Sequence, residues 1–227
     1  MKNTKKLNKL VAGLMSMAAF SSVSYASTFA DITIDGDFSD WAGIPVAATD
    51  VTGDGDPADF TDFSVANDDD FLYIRFTLDE AAALNVGGVQ LFIAIDNDNN
   101  TATGFDVFGL GAVGSEVGWQ NDFPFQQSTG VFNSGSIDNG GATIAPFNST
   151  VTGQEIALPR SATFASDGTS IFPNDTIGIG LYTNGGTTTD DFIGGANYTF
   201  AVPEPSSVAL LLSMTALGFV GFNRRRG

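Results

Sequence analysis

An acidic loop that directly follows an apolar strand holds the side chains best suited to chemistry. Asp96, Asp98 and Asn100 alternate along this loop, so three side-chain oxygens converge if the backbone curls. Ca²⁺ prefers hard oxygen ligands of this kind. Asp106 and Glu116 are candidate ligands from farther along the chain. The pattern favours a calcium site built from these five residues.

The same loop also fits a turn whose side chains cap their own backbone, and this alternative stays open. An EF-hand is excluded, because Thr101 occupies the sixth position, where Gly is needed, and Val107 the twelfth, where Glu is needed. A second acidic run at 68–70 is interpreted as a solvated hairpin connection. Trp41, beside an acidic turn, is interpreted as a packing anchor whose indole N–H is satisfied locally.

Composition removes several classes of catalytic chemistry and of partner. The chain has no histidine and no cysteine, which excludes Ser-His-Asp triads, cysteine nucleophiles, disulfides and most transition-metal sites. Nothing resembles a nucleophile elbow or a phosphate loop. Between the two terminal segments, 25 acidic residues face only Arg75 and Arg160. So strong a negative charge excludes nucleic acid and anionic lipid as partners of this part of the chain.

Recurring apolar alternation between turn residues predicts an all-β fold. The strongest predicted strands, rich in aromatic and β-branched residues, cover 60–66, 71–78 and 89–95. Weaker strands are predicted at 113–120, 130–137, 142–147, 152–158, 176–183 and 197–202, and one short helical turn at 79–84. Many short strands joined by Gly, Asn and Asp predict a single antiparallel β-sandwich domain over 27–201.

The amino-terminal end has the pattern of a secretory signal peptide. Four lysines precede a short apolar run at 10–20, and small residues lead up to Ala26. This pattern predicts export and cleavage after Ala26, with a signal peptide of residues 1–26. A retained amino-terminal anchor is the alternative.

The carboxyl-terminal end, residues 202–227, has three parts in a fixed order. Val202, Pro203, Glu204 and Pro205 come first, and the prolines disfavour a helix through them. An uncharged apolar run at 206–223 follows, roughly 27 Å long as a helix, which suits a transmembrane span. The last part is the cluster Arg224, Arg225 and Arg226, which holds the terminus on the cytoplasmic side.

This three-part tail resembles the PEP-CTERM sorting signal of Gram-negative bacteria. The resemblance implies recognition by an exosortase, a membrane protease of transpeptidase type, and cleavage near residues 203–205. It also implies passage through the inner membrane, a transient single-pass anchor, and a final place at the cell surface or in the extracellular matrix. Proteins with this signal are usually associated with exopolysaccharide.

Four segments of the predicted domain resemble family 9 carbohydrate-binding modules and the related DOMON-like sandwiches. They occur in the expected order at 34–41, 67–74, 91–99 and 154–161. The resemblance implies a jelly-roll or DOMON-like sandwich that binds sugar or a cation without catalysis. Such modules can hold sugar between aromatic rings, and Trp119, Phe123 and Phe125, with Phe132 nearby, are the candidates here. Strand packing is the alternative role for Trp119.

Together these features favour an exported, non-catalytic surface or matrix protein that binds extracellular polysaccharide, with calcium as a candidate cofactor. A structural matrix or adhesion protein without a defined ligand is the second hypothesis. A hydrolase or lyase acting on polysaccharide is the third. It requires two carboxylates at hydrolytic spacing, and although such pairs arise by chance in so acidic a domain, none lies beside a convincing cluster of aromatic and polar residues in the sequence.

Overall fold

The computed structural model describes residues 27–85, 89–184 and 190–203. The predicted signal peptide with its cleavage at Ala26, the predicted transmembrane helix over 206–223, the motif residues Glu204 and Pro205, and the arginines 224–226 lie outside the described residues. Within the described part of the chain, no helix is long and apolar enough to span a membrane.

Short strands make up nearly all of the regular structure. Two 3-10 turns, at Phe38–Trp41 and Val107–Gly109, are the helical elements of the described residues. The strands, in chain order, are β1 Val46–Thr49, β2 Phe60–Asn67, β3 Phe71–Ala83, β4 Gln90–Asp96, β5 Phe105–Asp106, β6 Gly114–Ser115, β7 Val117–Gln120, β8 Phe123–Ser128, β9 Val131–Asp138, β10 Thr143–Ala145, β11 Thr150–Pro159, β12 Thr163–Phe164, β13 Thr176–Asn184 and β14 Phe192–Thr199.

These strands form two antiparallel sheets. The five-stranded sheet has the order β1-β2-β3-β11-β10, and the seven-stranded sheet has the order β12-β9-β8-β7-β4-β13-β14. β5 and β6 pair as a small separate hairpin in the connection between β4 and β7. The fold is all-β and antiparallel, as the alternating sequence predicts.

The main core lies between the two sheets, where side chains from both inner faces meet. Alternate residues of β4, namely Leu91, Ile93 and Ile95, pack there, together with Ile74 from β3 and Ile156 from β11. Because side chains alternate between the two faces of a strand, the intervening residues of each strand lie on the outer faces of the sandwich. What covers those outer faces differs between the two sheets.

The outer face of the five-stranded sheet is covered by the chain's own amino-terminal segment. Trp41 packs there against the registered pair Ala66 and Tyr73. The indole N–H of Trp41 donates to Glu155 Oε2 at 2.8 Å. The expectation that Trp41 is a packing anchor with a satisfied N–H is confirmed, but the acceptor lies 114 residues away and not nearby in the chain.

The two ends of the domain meet at one buried side chain at the end of β2. The backbone N–H of Asn67 donates to Thr28 O at 3.0 Å, and Ala30 N donates to Asn67 O at 2.9 Å. The side-chain amide of Asn67 donates to Ala201 O at 3.0 Å and accepts from Ala201 N at 2.7 Å. Tyr198 Oη donates to the same amide oxygen at 2.7 Å. Asn67 therefore joins the first and last described segments of the chain.

One predicted element is wrong. The helical turn expected at 79–84 does not form, because β3 continues as a strand to Ala83. Ala82 and Ala83 pair with Val151 and Thr150 of β11, beyond a register shift in the same ladder. Pairing with β11 supplies backbone partners that a single isolated helical turn would lack.

Candidate functional site

A stacked pair of aromatic rings lies on the outer face of the seven-stranded sheet. Phe92 on β4 and Tyr182 on β13 are direct partners in the ladder, so their side chains emerge side by side. Their ring centroids lie 4.8 Å apart, with an interplanar angle of 8°. This pair forms the floor of a groove that the rest of the site builds upon.

Further rings extend this floor and wall it. Phe132 from β9 meets Phe92 edge-on at 5.7 Å, and Phe105 from β5 meets Phe132 at 5.5 Å. Phe108, in the 3-10 turn after β5, meets Tyr182 edge-on at 5.3 Å. Phe108 has a φ of 54°, a left-handed conformation that is uncommon for a residue with a Cβ. That backbone leaves the Phe108 side chain 46% exposed at the groove wall.

Polar side chains complete the groove, which has a volume of about 580 Å³. Gln90, Gln120, Asn184 and Asp106 line it beside the rings. Gln120 Nε2 donates to Gln90 Oε1 at 2.5 Å, and Asp106 Oδ1 accepts from the backbone of Gly111 at 2.7 Å. An apolar floor with a few amide groups at its edge is typical of a small-molecule site of this size.

The structure buries Trp119 and Phe125, two of the three candidate sugar-stacking residues, so neither can offer its ring to a sugar. Trp119 faces the core between the sheets and is 1% exposed. It alternates along β7 with Gly118, which is the outward residue, and a Cβ at Gly118 would approach the Phe125 ring to 2.6 Å. Phe125 is itself 3% exposed and packs under Phe132, with centroids 5.0 Å apart. Phe123 is exposed but lies outside the groove lining.

Phe132, which the sequence placed beside the candidate rings, does line the groove, but its floor residues Phe92 and Tyr182 were missed because they read as ordinary core positions. Phe92 and Tyr182 sit in the middle of strongly apolar strands. One signal was present: polar residues occur two positions from each ring, at Gln90 and Asn184, and so share its face. An aromatic residue with an amide side chain two positions away indicates that this face of the strand is exposed to solvent and not packed in the core.

Three of the five candidate calcium ligands come together. Carboxylate oxygens of Asp96, Asp98 and Glu116 all lie within 4.8 Å of one another. Asp96 ends β4, and Glu116 sits between β6 and β7, where its backbone N–H donates to Ile95 O at 3.1 Å. Gly104 makes this approach feasible, since a Cβ there would come within 2.6 Å of Glu116 Oε1.

The electrostatics of this acidic cluster disfavour three free negative charges. Burial, reinforced by the charges of Asp98 and Asp96, raises the pKa of Glu116 to about 7. Burial also raises the pKa of Asp96. Glu116 Oε1 is buried and has no hydrogen-bond partner among the described residues. Arg75 and Arg160, the two basic side chains of the described residues, lie over Phe38 and Phe200, and neither contributes to these pKa shifts, so an added cation would meet uncompensated oxygens.

Asn100 and Asp106 are placed differently from the other three. Asn100 Oδ1 accepts from Ala102 N at 3.2 Å, and the backbone N–H of Asn100 donates to Asp96 and Asp98 at 2.9 and 3.0 Å. Asp106 caps Gly111 at the groove instead. The self-capping turn left open by the sequence is therefore present, and it holds the same carboxylates that form the cluster.

A second acidic cluster was not expected from the sequence. Asp50, Asp54 and Asp191 bring carboxylate oxygens within 4.8 Å of one another. Asp191 is buried and accepts from Phe60 N at 2.5 Å and from Phe192 N at 2.7 Å. Burial raises the pKa of Asp191 to about 6. Residues this far apart in the chain gave no sequence signal of their proximity.

No curated protein matches the chain in sequence. A family 9 carbohydrate-binding module from Caldicellulosiruptor kristjanssonii is similar in structure. Its complex with cellotriose matches at 11% identity and a TM-score of 0.44, over 79% of this chain and 97% of that chain. Its complex with glucose matches at 10% identity and 0.44, over 79% and 96%. Residues 201–226 match the PEP-CTERM protein-sorting motif, a signal for export and exosortase-mediated sorting to the cell surface.

Proposed function

We propose that this protein is a non-catalytic, surface-sorted module that binds extracellular polysaccharide in the aromatic groove. The observation that carries the proposal is the stacked pair of Phe92 and Tyr182, walled by the half-exposed Phe108. Aromatic rings offer flat apolar surface to the C–H face of a sugar, and neighbouring amides can bond its hydroxyls. Gln90, Gln120 and Asn184 supply those amides.

The lining of the groove supports binding without hydrolysis. Glycoside hydrolysis generally uses two carboxyl groups, separated by about 5 Å or by roughly 6.5–9.5 Å. Among the described residues that line the groove, Asp106 is the one carboxylate. Its Oδ1 is already engaged by Gly111 N. This arrangement lacks the acid and base pair that the chemistry requires.

Calcium at Asp96, Asp98 and Glu116 is the proposed cofactor. Ca²⁺ would neutralise the negative charge of this cluster, in which the pKa values of Asp96 and Glu116 are both raised. The loop that starts at Asp96 runs directly into β5 and then to Phe108, the groove wall. Binding a cation would therefore restrain the loop that carries this wall.

Sorting by the carboxyl-terminal motif accounts for how such a module reaches its ligand. The described chain leaves the domain at Ala201, directly before Val202 and Pro203. We place exosortase cleavage near residues 203–205, after transient anchoring in the inner membrane of a Gram-negative cell. Intact-mass analysis of the surface-released form tests this, and a mass that retains residues 206–227 would contradict it.

Two matched phenylalanines test the groove. Phe108 and Phe123 have nearly the same exposure, 46% and 47%, but only Phe108 lines the groove. The measurement is retardation in affinity gels that contain a panel of neutral and acidic polysaccharides. We expect the wild type to be retarded by at least one of them. For that polysaccharide, Phe108→Ala should bind roughly tenfold more weakly than the wild type, and Phe123→Ala should bind as the wild type does. One lost ring contact of about 1.4 kcal/mol corresponds to that factor. Equal losses in both variants, or no retardation of the wild type, would contradict the proposal.

A further inference from the structure

A second cleft lies at the end of the sandwich where the chain leaves the domain. It has a volume of about 340 Å³ and is lined by the β2–β3 turn, the turn after β11, the segment before β13 and the residue after β14. No residue lines both this end cleft and the aromatic groove. The two are therefore separate concavities on one domain.

The end cleft has an aromatic floor. Phe172 and Phe200 meet edge-on with centroids 5.3 Å apart, and Tyr198 supports Phe200 from behind at 5.9 Å. Phe200 is mostly buried, whereas Phe172 is half-buried. The floor is anchored in the main core, to which Phe200 belongs and against which Phe172 packs. A floor held this way needs little ordering when a ligand binds.

Arg160 forms one wall of the cleft and is held in place before any ligand arrives. Its guanidinium lies 4.5 Å from the centroid of the Phe200 ring. Its Nη1 donates to Asp68 O at 2.7 Å, and its backbone N–H donates to Asp70 O at 2.8 Å. These contacts use one edge of the side chain and the ring-facing plane.

The rest of the guanidinium is free for a ligand. Within the described ranges, Arg160 forms no ion pair, although 25 acidic residues lie between the terminal segments. Its Nε and Nη2 have no protein acceptor in that part of the chain and are not sealed from solvent. Arg75 is the contrasting case: it also stacks on a ring, Phe38 at 4.7 Å, but its Nε is buried and it lines neither cavity.

The charged residues at the rim of the end cleft determine which ligands it can bind. Asp69, Asp70 and Asp175 are exposed there, beside Asn174 and Ser161. Three carboxylates around one arginine oppose an anionic ligand such as a uronic acid. They are well suited to accept hydrogen bonds from hydroxyl groups, while the guanidinium donates and the half-buried Phe172 ring contacts a C–H face.

We propose that the end cleft is a second carbohydrate site that takes one neutral, hydroxyl-rich sugar unit. The proposal rests on the proposed function in so far as both sites take sugars, but it does not require the same glycan in both. With two separate sites, one domain can bind two polysaccharide chains, or two positions along the same polysaccharide chain. Simultaneous engagement raises the overall affinity without new contacts and lets the domain cross-link a soluble polymer.

The test measures stoichiometry and cross-linking with the full chain in detergent. Titration calorimetry with a panel of neutral gluco-, manno-, galacto- and xylo-oligosaccharides, and with oligogalacturonate, gives the number of sites. Light scattering with the matching polysaccharides gives cross-linking. Ser161→Trp fills the cleft from an exposed position, so we expect one site instead of two and no cross-linking. Arg160→Lys keeps the positive charge but loses the planar set of guanidinium donors, and we expect the affinity of the end cleft for the sugar to fall roughly tenfold. Arg75→Lys is the matched control, with no expected change.

The outcomes separate this inference from the proposed function. If Ser161→Trp binds as the wild type does while Phe108→Ala loses binding, the end cleft is not a sugar site and the groove stands. If the cleft prefers oligogalacturonate, the neutral ligand class is wrong. If Ser161→Trp loses binding and Phe108→Ala does not, the assignment of the groove as a sugar site is wrong and that of the end cleft is supported. A wild type that binds no member of the panel overturns both. Unchanged melting of Ser161→Trp shows that the variant is folded.

Discussion

Both outer faces of the sandwich carry aromatic side chains, but the chain covers one face and leaves a groove open on the other. On the five-stranded sheet, the amino-terminal segment covers Tyr73 and Ala66 with Trp41. Glu155 beneath it accepts from Trp41 Nε1, Asp35 N and Gly36 N, at 2.8, 2.9 and 2.7 Å. On the seven-stranded sheet, the equivalent rings line an open groove.

Under the proposed function, the closed face contributes to the stability of the domain and the open face contributes to binding. A face closed by its own chain satisfies its polar groups internally and contributes packing energy to the folded state. An open face leaves rings and amides available to a ligand. We therefore expect changes on the closed face to lower stability without changing affinity, and changes around the open face to lower affinity.

The largest effect is expected on the closed face. Trp41→Ala removes a buried indole and leaves Glu155 Oε2 without its donor. The free energy of unfolding should fall by about 3–5 kcal/mol, as for other buried aromatic truncations. Denaturant unfolding measures it, and gel retardation of the folded variant should match the wild type. A loss of affinity in the folded variant would break the distinction between the two faces.

A smaller effect is expected from calcium at the loop beside the open face. Ca²⁺ at a hundredfold excess over its Kd should stabilise the folded state by about 2.7 kcal/mol. Thermal unfolding with and without chelator measures this, and Glu116→Gln should remove most of the response. Glu80→Gln, the same change at an exposed position of β3, is the control. A midpoint that does not respond to calcium would exclude Asp96, Asp98 and Glu116 as its ligands.

A further effect is a pH dependence of the calcium-free protein. Burial chiefly raises the folded-state pKa of Glu116 to about 7 and that of Asp191 to about 6. The folded state then binds more protons than the unfolded state, so stability falls as pH rises through this window. In chelator, the melting midpoint should be higher near pH 5 than near pH 8, and Glu116→Gln should flatten the slope. A midpoint that rises with pH would contradict these shifts.

Local patterns predicted the elements whose partners are near in the chain. β2, β3 and their acidic turn follow from alternation and from an Asx-rich connection, and Asp68 does cap that turn through Asp70 N and Phe71 N. β8 was not predicted, because Pro124 and two glutamines interrupt its apolar pattern. Pairing with Trp119 and its neighbours on β7 forms it nonetheless.

The site was harder to predict, since alternation shows that a strand has two faces but not which face is covered. Trp119 and Phe92 look equally apolar in the sequence, yet Trp119 points to the core and Phe92 to the groove. Asp96 and Asp98 could be grouped from their spacing alone. Asp191 could not, because its cluster depends on sheet topology that the sequence does not display.

Asn67 has a mechanical consequence under the transient anchoring by the tail that we propose. A pull on Val202 reaches Ala201, whose backbone N–H and carbonyl are both bonded to the Asn67 amide. From there the force passes through the Asn67 backbone to Thr28 and Ala30. Tension along the tether is thus shared with β2, which is hydrogen-bonded between β1 and β3 in the opposite sheet, and does not simply peel β14 from its edge.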